Sequence, residues 1–234
     1  MVIGSSRAEL RRTPAPLPGR DELLASGQLQ VHSTAGVCAS GGQLSSTEQV
    51  AAYRSLVGEA LERGRTGLRI AADVPPLARS GPGARWQLHV HEQLADAMMG
   101  TVAMTALCLD DSAPEADVLA PVTLLHPGQH SGEEEPLAHL SGRGPSLSLH
   151  DEVDGTQADG LSRALVDVAR GTPGEVVLDL SDLRFLDVAG ARALARAADV
   201  LRGSGVRLRL VRVPRVAVRC LKPFGLSGGD TVPA

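Results

Sequence analysis

The chain has 234 residues with a formal net charge of −4, and it is 43% apolar, 21% charged and 2% aromatic. At about 150 residues per domain this length is roughly one and a half domains, and the composition excludes a disordered or fibrous chain. With Tyr53, Trp86, Phe185 and Phe224 as its only aromatics and no basic excess, the chain lacks base-stacking platforms and any general pull toward nucleic acid.

Residues 1–20, rich in Pro, Gly, Ser and Arg, carry no period and read as a disordered arm. Ser45 and Glu48 form a capping box before a helix with the stripe Val50, Tyr53, Val57 and Ala60, and the strand Leu68–Ala72 follows. A second helix carries Trp86, Val90, Leu94 and Met98 on one side, with His89, Glu92, Gln93 and Asp96 elsewhere. After the strand Val102–Leu109, a helix starts near Pro114 and is bent or ended by Pro121. From His126 to Pro145 the run HPGQHSGEEEPLAHLSGRGP has the composition of a linker, placed at 128–145. The domains are then an α/β module over 21–127 and a second α/β domain over 146–234.

In the second domain Leu147 and Leu149 alternate with Ser148 and His150, as in a strand with one apolar face. Thr156 and Asp159 open a helix striped by Leu161, Ala164, Leu165 and Val168 and closed by Gly171. The pattern then repeats: strand Glu175–Leu180, a helix capped by Asp187 with the stripe Ala191, Leu194, Ala198 and Leu201, and a strand where Val206, Leu208 and Leu210 alternate with arginines. A short helix near Arg215–Leu221 ends before Pro223. One apolar side per strand predicts a sheet with helices on one face and right-handed crossovers.

The block VVLDLSDLRFLD running into a helix at Asp187, the GV turn before the Arg/Leu strand and the closing FGLSG resemble a STAS domain of the anti-sigma-factor antagonist type. This resemblance implies a partner-binding surface at the start of the helix after Asp187, here Asp187, Val188, Ala189, Gly190 and Arg192, facing an anti-sigma factor or a kinase-like regulatory protein. The family motif Asp-Ser-x-Gly stands here as Asp187-Val188-Ala189-Gly190. Its serine is the phosphorylation switch, because phosphate at a helix N-terminus is tolerated while its bulk and charge repel a docked partner. Val188 has no hydroxyl, so that switch cannot operate at this position.

The preceding segment resembles a MEDS domain, the DcmR-type sensory module of methanogens, methylotrophs and actinobacterial regulators. The residues that carry the likeness are GLRIAADV at Gly67–Val74, the Trp86–Glu92 stretch, TALCLDD at Thr105–Asp111 and Leu124-Leu125-His126-Pro127. The copy departs from the family at Asp110, where an aromatic is usual, and its first strand–helix unit, expected upstream of residue 20, is missing, so the module reads as partial. The resemblance implies recognition of a small hydrocarbon-derived ligand, with Trp86, Glu92, Asp110 and Asp111 as the candidate residues.

Dedicated chemistry is sparse. There is no Walker A run, no GxGxxG after a strand and no GxSxG elbow between a strand and a helix, and no cofactor site is read. His89, His91 and Glu92 come nearest to a metal cluster, but HExxH spacing fails at Ala95, and a solvated helix face is expected instead. Asp110, Asp111 and Asp117 follow a strand's C-terminal end, where α/β proteins place ligands, although turn and capping duty explains them equally well. Cys38, Cys108 and Cys220 are odd in number and far apart, which fits a reducing cytoplasm. The start lacks an apolar core segment, and the longest apolar stretch, Met98–Leu109, is too short for about 30 Å of hydrocarbon, so no membrane role is expected. The resulting expectation is a non-enzymatic regulator that couples a degenerate sensory module to a STAS partner-binding domain in anti-anti-sigma-like signalling. Its rival is a small-molecule sensor or weak enzyme built on the N-terminal carboxylates.

Overall fold

The computed structural model describes residues 1–4, 18–33, 46–73, 82–109, 116–126, 137–170 and 172–226. The chain divides into two compact units, residues 1–91 with 98–114 and residues 92–97 with 115–234. Each is an α/β assembly.

The first unit is a four-stranded parallel sheet. It contains β1 (Val2–Gly4), β2 (Val31–Ser33), β3 (Leu68–Asp73) and β4 (Met104–Leu109), in the order β2-β1-β3-β4. Parallel neighbours need a crossover rather than a hairpin, and the intervening helices are α1 (Arg20–Ala25), α2 (Ser46–Glu62) and α3 (Pro82–Met99). Tyr53 and Val57 of α2 pack with Ile70, Met98 and Met104, joined by half-buried Met1, Leu68 and Ala106. The stretch read as a patternless arm therefore holds a strand: Val2 pairs with both Val31 and Ala71, and the Met1 amine donates to the Arg69 carbonyl at 2.7 Å. Three residues are too few for a period-2 signal, which is why composition alone passed over it. Ser45 of the expected capping box lies outside the described residues; at the first position of α2, Ser46 Oγ donates to the Gln87 carbonyl instead (3.3 Å).

The second unit is built on β5 (Ala138–Arg143), β6 (Ser146–Val153), β7 (Glu175–Asp179), β8 (Leu183–Leu186) and β9 (Arg207–Val211). The order is β5-β6-β7-β9, with β8 pairing to β6; β5 and β6 are antiparallel and the other pairs parallel. Leu140, Leu147, Leu149, Val176, Leu178 and Leu210 point into one core, where they meet α4 (Ala116–Leu125), α5 (Ala158–Ala169), α6 (Val188–Gly203) and α7 (Arg215–Leu221). The expected stripes hold, since Leu161, Ala164, Leu165 and Val168 of α5 and Ala191, Leu194, Ala198 and Leu201 of α6 are all buried.

Three local features differ from the expectation. First, the block read as one strand into α6 is two strands: the Ser181 N–H bonds Asp179 Oδ1 (2.9 Å) and the Leu183 N–H bonds the Leu180 carbonyl (3.1 Å), which turns the chain. Strand β6 then pairs with β7 through Ser146–Ser148 and with β8 through Asp151–Val153, across an irregularity where Asp151 has φ 66°. Second, Ala138–Arg143, in the stretch read as linker, is a strand closed onto β6 at Gly144-Pro145. Third, α4 runs through Pro121 to Leu125 and buries Val122, Leu124 and Leu125 within the second unit. The missing proline N–H removes one hydrogen bond in the middle of the helix, a loss that apolar burial outweighs. Close approach of α4 to α5 depends on Gly160, where a Cβ would stand 2.8 Å from the Ala120 carbonyl oxygen.

Candidate partner-binding site and histidine cluster

Helix α6 starts on a side-chain cap. Asp187 has extended backbone (φ −90°, ψ −179°), and its Oδ1 accepts from the Gly190 N–H at 2.7 Å. This satisfies one of the four donors that a helix start leaves unpaired. The Asp187 N–H in turn donates to the Val153 carbonyl (3.1 Å), which ties the cap to the end of β6. Gly190 is buried, and a Cβ there would lie 2.7 Å from both Leu186 Cδ1 and Val153 Cγ1. The motif glycine is thus the contact that lets α6 begin directly on the sheet.

Around this cap the surface is apolar. Val188, the first residue of α6, is 54% exposed and Phe185, three residues earlier, 47% exposed. Ala189 is half-buried, Arg192 is exposed, and no acidic residue occupies the first turn. Beside it runs the β6–α5 loop, where a Cβ on Gly155 would lie 3.8 Å from Ala189 Cβ and 4.0 Å from Asp187 Oδ2. Asp154 shapes that loop by accepting from the Thr156 N–H and Oγ1, each at 2.7 Å, and these bonds hold its carboxyl below the usual carboxylate range. Thr156 therefore donates to an Asx turn rather than capping α5, whose N-cap is Gln157. Of the five residues expected to form the partner surface, Val188 and Arg192 are exposed, Asp187 and Ala189 half-buried and Gly190 buried at this end of α6.

The other expected set is not assembled in the same way. Asp110 and Asp111 lie outside the described residues. Trp86 and Glu92 are six residues apart on α3, and at about 100° per residue they face different directions. Glu92 is 8% exposed, and His89, His91 and Gln93 are 3%, 7% and 4% exposed, so these residues do not form a solvated face. Leu88, Ala95 and Met98 are buried on the same helix, while Val90 and Leu94 are only half-buried. The buried side of α3 differs from the expected stripe because its polar side chains find partners: His91 meets Tyr53 edge-on with ring centroids 6.0 Å apart, and Glu92 Oε2 lies 3.3 Å from His126 Nε2.

Sequence reasoning missed a second constellation in the second unit. His139 of β5 pairs directly with His150 of β6, their rings stacked at 5.5 Å and 23°. Asp96 Oδ2 lies 3.8 Å from His139 Nε2, a ring nitrogen shut off from solvent and without a hydrogen bond among the described residues. Burial lowers the His139 pKa against the opposing pull of Asp96, and burial raises that of Asp96 against the pull of His139. On the far side of the pair, Ser141 Oγ is 2.7 Å from His150 Nε2, and Asp182 Oδ2 is 3.5 Å from His150 Nδ1. Two period-2 strings around the turn Gly144-Pro145 were the available signal: read as a hairpin, they place His139 and Ser141 beside Ser148 and His150.

Comparison with family models matches residues 1–127 to the family described as MEDS, the methanogen/methylotroph, DcmR sensory domain. The chain belongs to the MEDS family. Residues 138–233 match the family described as Mlab, STAS domain, so a MEDS domain precedes a STAS domain, and the latter match opens on the first residue of β5. No curated protein matches the chain. Together the two domains mark a regulatory or sensory protein, and STAS domains commonly mediate protein–protein contact. Among the described residues of this MEDS–STAS chain, no helix is long and apolar enough to cross a membrane.

Proposed function

We propose that this MEDS–STAS protein is a non-enzymatic cytoplasmic regulator whose STAS domain docks an anti-sigma factor or kinase-like regulatory protein at the start of α6, as an anti-sigma-factor antagonist does. The observation that carries this reading is Val188, 54% exposed on a helix start pinned by Asp187, three residues after the exposed Phe185. Exposed apolar side chains at the end of β8 and on the capped start of α6, with Arg192 one turn on, suit a partner with an apolar socket and an acidic rim. Phosphorylation at position 188 is chemically impossible, so docking is constitutive there and is modulated through the MEDS domain or at another site.

Calorimetric titration against purified kinase-type anti-sigma factors from the same genome tests the reading. Binding should occur without ATP, and Val188→Glu should weaken it at least about tenfold, the size of a modest interface anchor. If none of those proteins binds, or Val188→Glu binds as tightly as the native chain, the reading is wrong.

A further inference from the structure

We propose that Ser141 is a reactive nucleophile that takes an acyl group from an activated ester, with His150 as its general base and Asp182 as the carboxylate that orients the imidazole. Three side chains from three elements form the chain that such a nucleophile requires: hydroxyl on one ring nitrogen, carboxylate on the other. Ser141 Oγ stands 2.7 Å from Nε2, and Asp182 Oδ2 stands 3.5 Å from Nδ1. A proton held on Nδ1 by the carboxylate leaves the Nε2 lone pair for the serine proton.

The arrangement is built into the sheet. Ser141 pairs with Ser148 and His139 with His150, so Ser141 and His150 are diagonal neighbours on one sheet face. Asp182 sits in the β7–β8 turn, and its carbonyl accepts from the Asp151 N–H at 3.0 Å, which anchors the turn to the residue after His150. The stacked His139 ring restricts rotation of the His150 ring. Ser141 is half-buried and the His150 side chain 28% exposed, so a small ester can reach the hydroxyl.

In the step, Ser141 Oγ attacks the acyl carbon while His150 Nε2 takes its proton. The new O–C bond forms, the bond from that carbon to the leaving oxygen breaks, and the proton passes from Nε2 to the departing oxygen. The acyl group stays on Ser141 as an ester. This places a covalent mark on a STAS domain whose α6 start offers no hydroxyl at residue 188. The inference stands apart from partner docking at α6, since its test needs no partner.

The experiment exposes the full chain to p-nitrophenyl acetate and follows p-nitrophenolate release, intact mass and peptide mapping. The expected result is one acetyl group, mapped to Ser141. His150→Gln should slow its appearance about a hundredfold or more, the usual scale for a positioned base. Asp182→Asn should slow it, Asp182→Glu should restore it with an unchanged melting temperature, and Ser148→Ala should behave as the native chain. The mapping needs no variant to fold. Acetyl groups found only on the Met1 amine, Lys222 or other side chains overturn the proposal, as does an undiminished rate at Ser141 in the folded His150→Gln chain.

Discussion

His139 and Asp96 hold each other in opposition: the carboxylate lies 3.8 Å from a buried ring nitrogen, yet burial moves both groups toward their neutral forms. His139 therefore holds a proton less well in the folded chain than its ordinary value of 6.5 allows. Its contribution to stability is fully present above pH 6.5 and is lost as pH falls through the lowered folded value. Asp96, raised above 3.8, acts in the opposite sense, contributing below that pH and losing the contribution as pH rises through its folded value.

The groups facing His139 are Asp96 from α3, His150 and Asp151 from β6 and His126 after α4, and of these only the two acids favour its protonated form. Urea unfolding between pH 7.5 and 5 should show stability falling with pH, and His139→Gln should flatten that slope. An equal slope in the variant would assign the loss to other groups.

Asp187→Ala should cost about 0.5–2 kcal/mol, the range for a lost N-cap, because the Gly190 N–H then has no side-chain acceptor. Asp187→Asn, which keeps a side-chain oxygen, should lose only a small part of this. Denaturant midpoints at constant slope are the measurement, and equal stability of the alanine variant would show that water replaces the cap.

The second unit was legible in sequence wherever side chains obey a single period. The α5 and α6 stripes, the alternation of Leu147 and Leu149 and the Asp187 cap all follow from local chemistry. Where pairing is long-range, the sequence was mute. Strand β1 is three residues long and is defined by neighbours 29 and 69 positions away, as in Val2 with Val31 and Val2 with Ala71. Strand β5 was hidden by the composition of its surroundings, and with it the His139–His150 stack. Helix α3 misled because buried histidines and Glu92 look, in sequence, like a wet face; their burial depends on partners such as Tyr53 and His126 that only the fold supplies.

Gly190→Ala should destabilise by about 1–3 kcal/mol, the cost of adding a methyl group to a filled space. The added Cβ would stand 2.7 Å from Leu186 Cδ1 and Val153 Cγ1, and 3.3 Å from the Val153 carbonyl oxygen, so those side chains or the start of α6 must shift. That displacement should also weaken any protein docked on Val188, by a route different from Val188→Glu. Thermal unfolding and partner titration of the same preparation separate the two effects.

Core and surface should part company at two consecutive residues of one short strand. Leu186 is 3% exposed and Phe185 47% exposed, although they are adjacent on β8. Leu186→Ala removes buried methyl groups under α6 and should cost about 2–5 kcal/mol, whereas Phe185→Ser and Val188→Glu should each stay within about 0.5 kcal/mol of the native chain. If the exposed pair proved as costly as Leu186, it would be held within the folded chain, and the apolar face at the start of α6 would be a packing surface with nothing left to offer a partner.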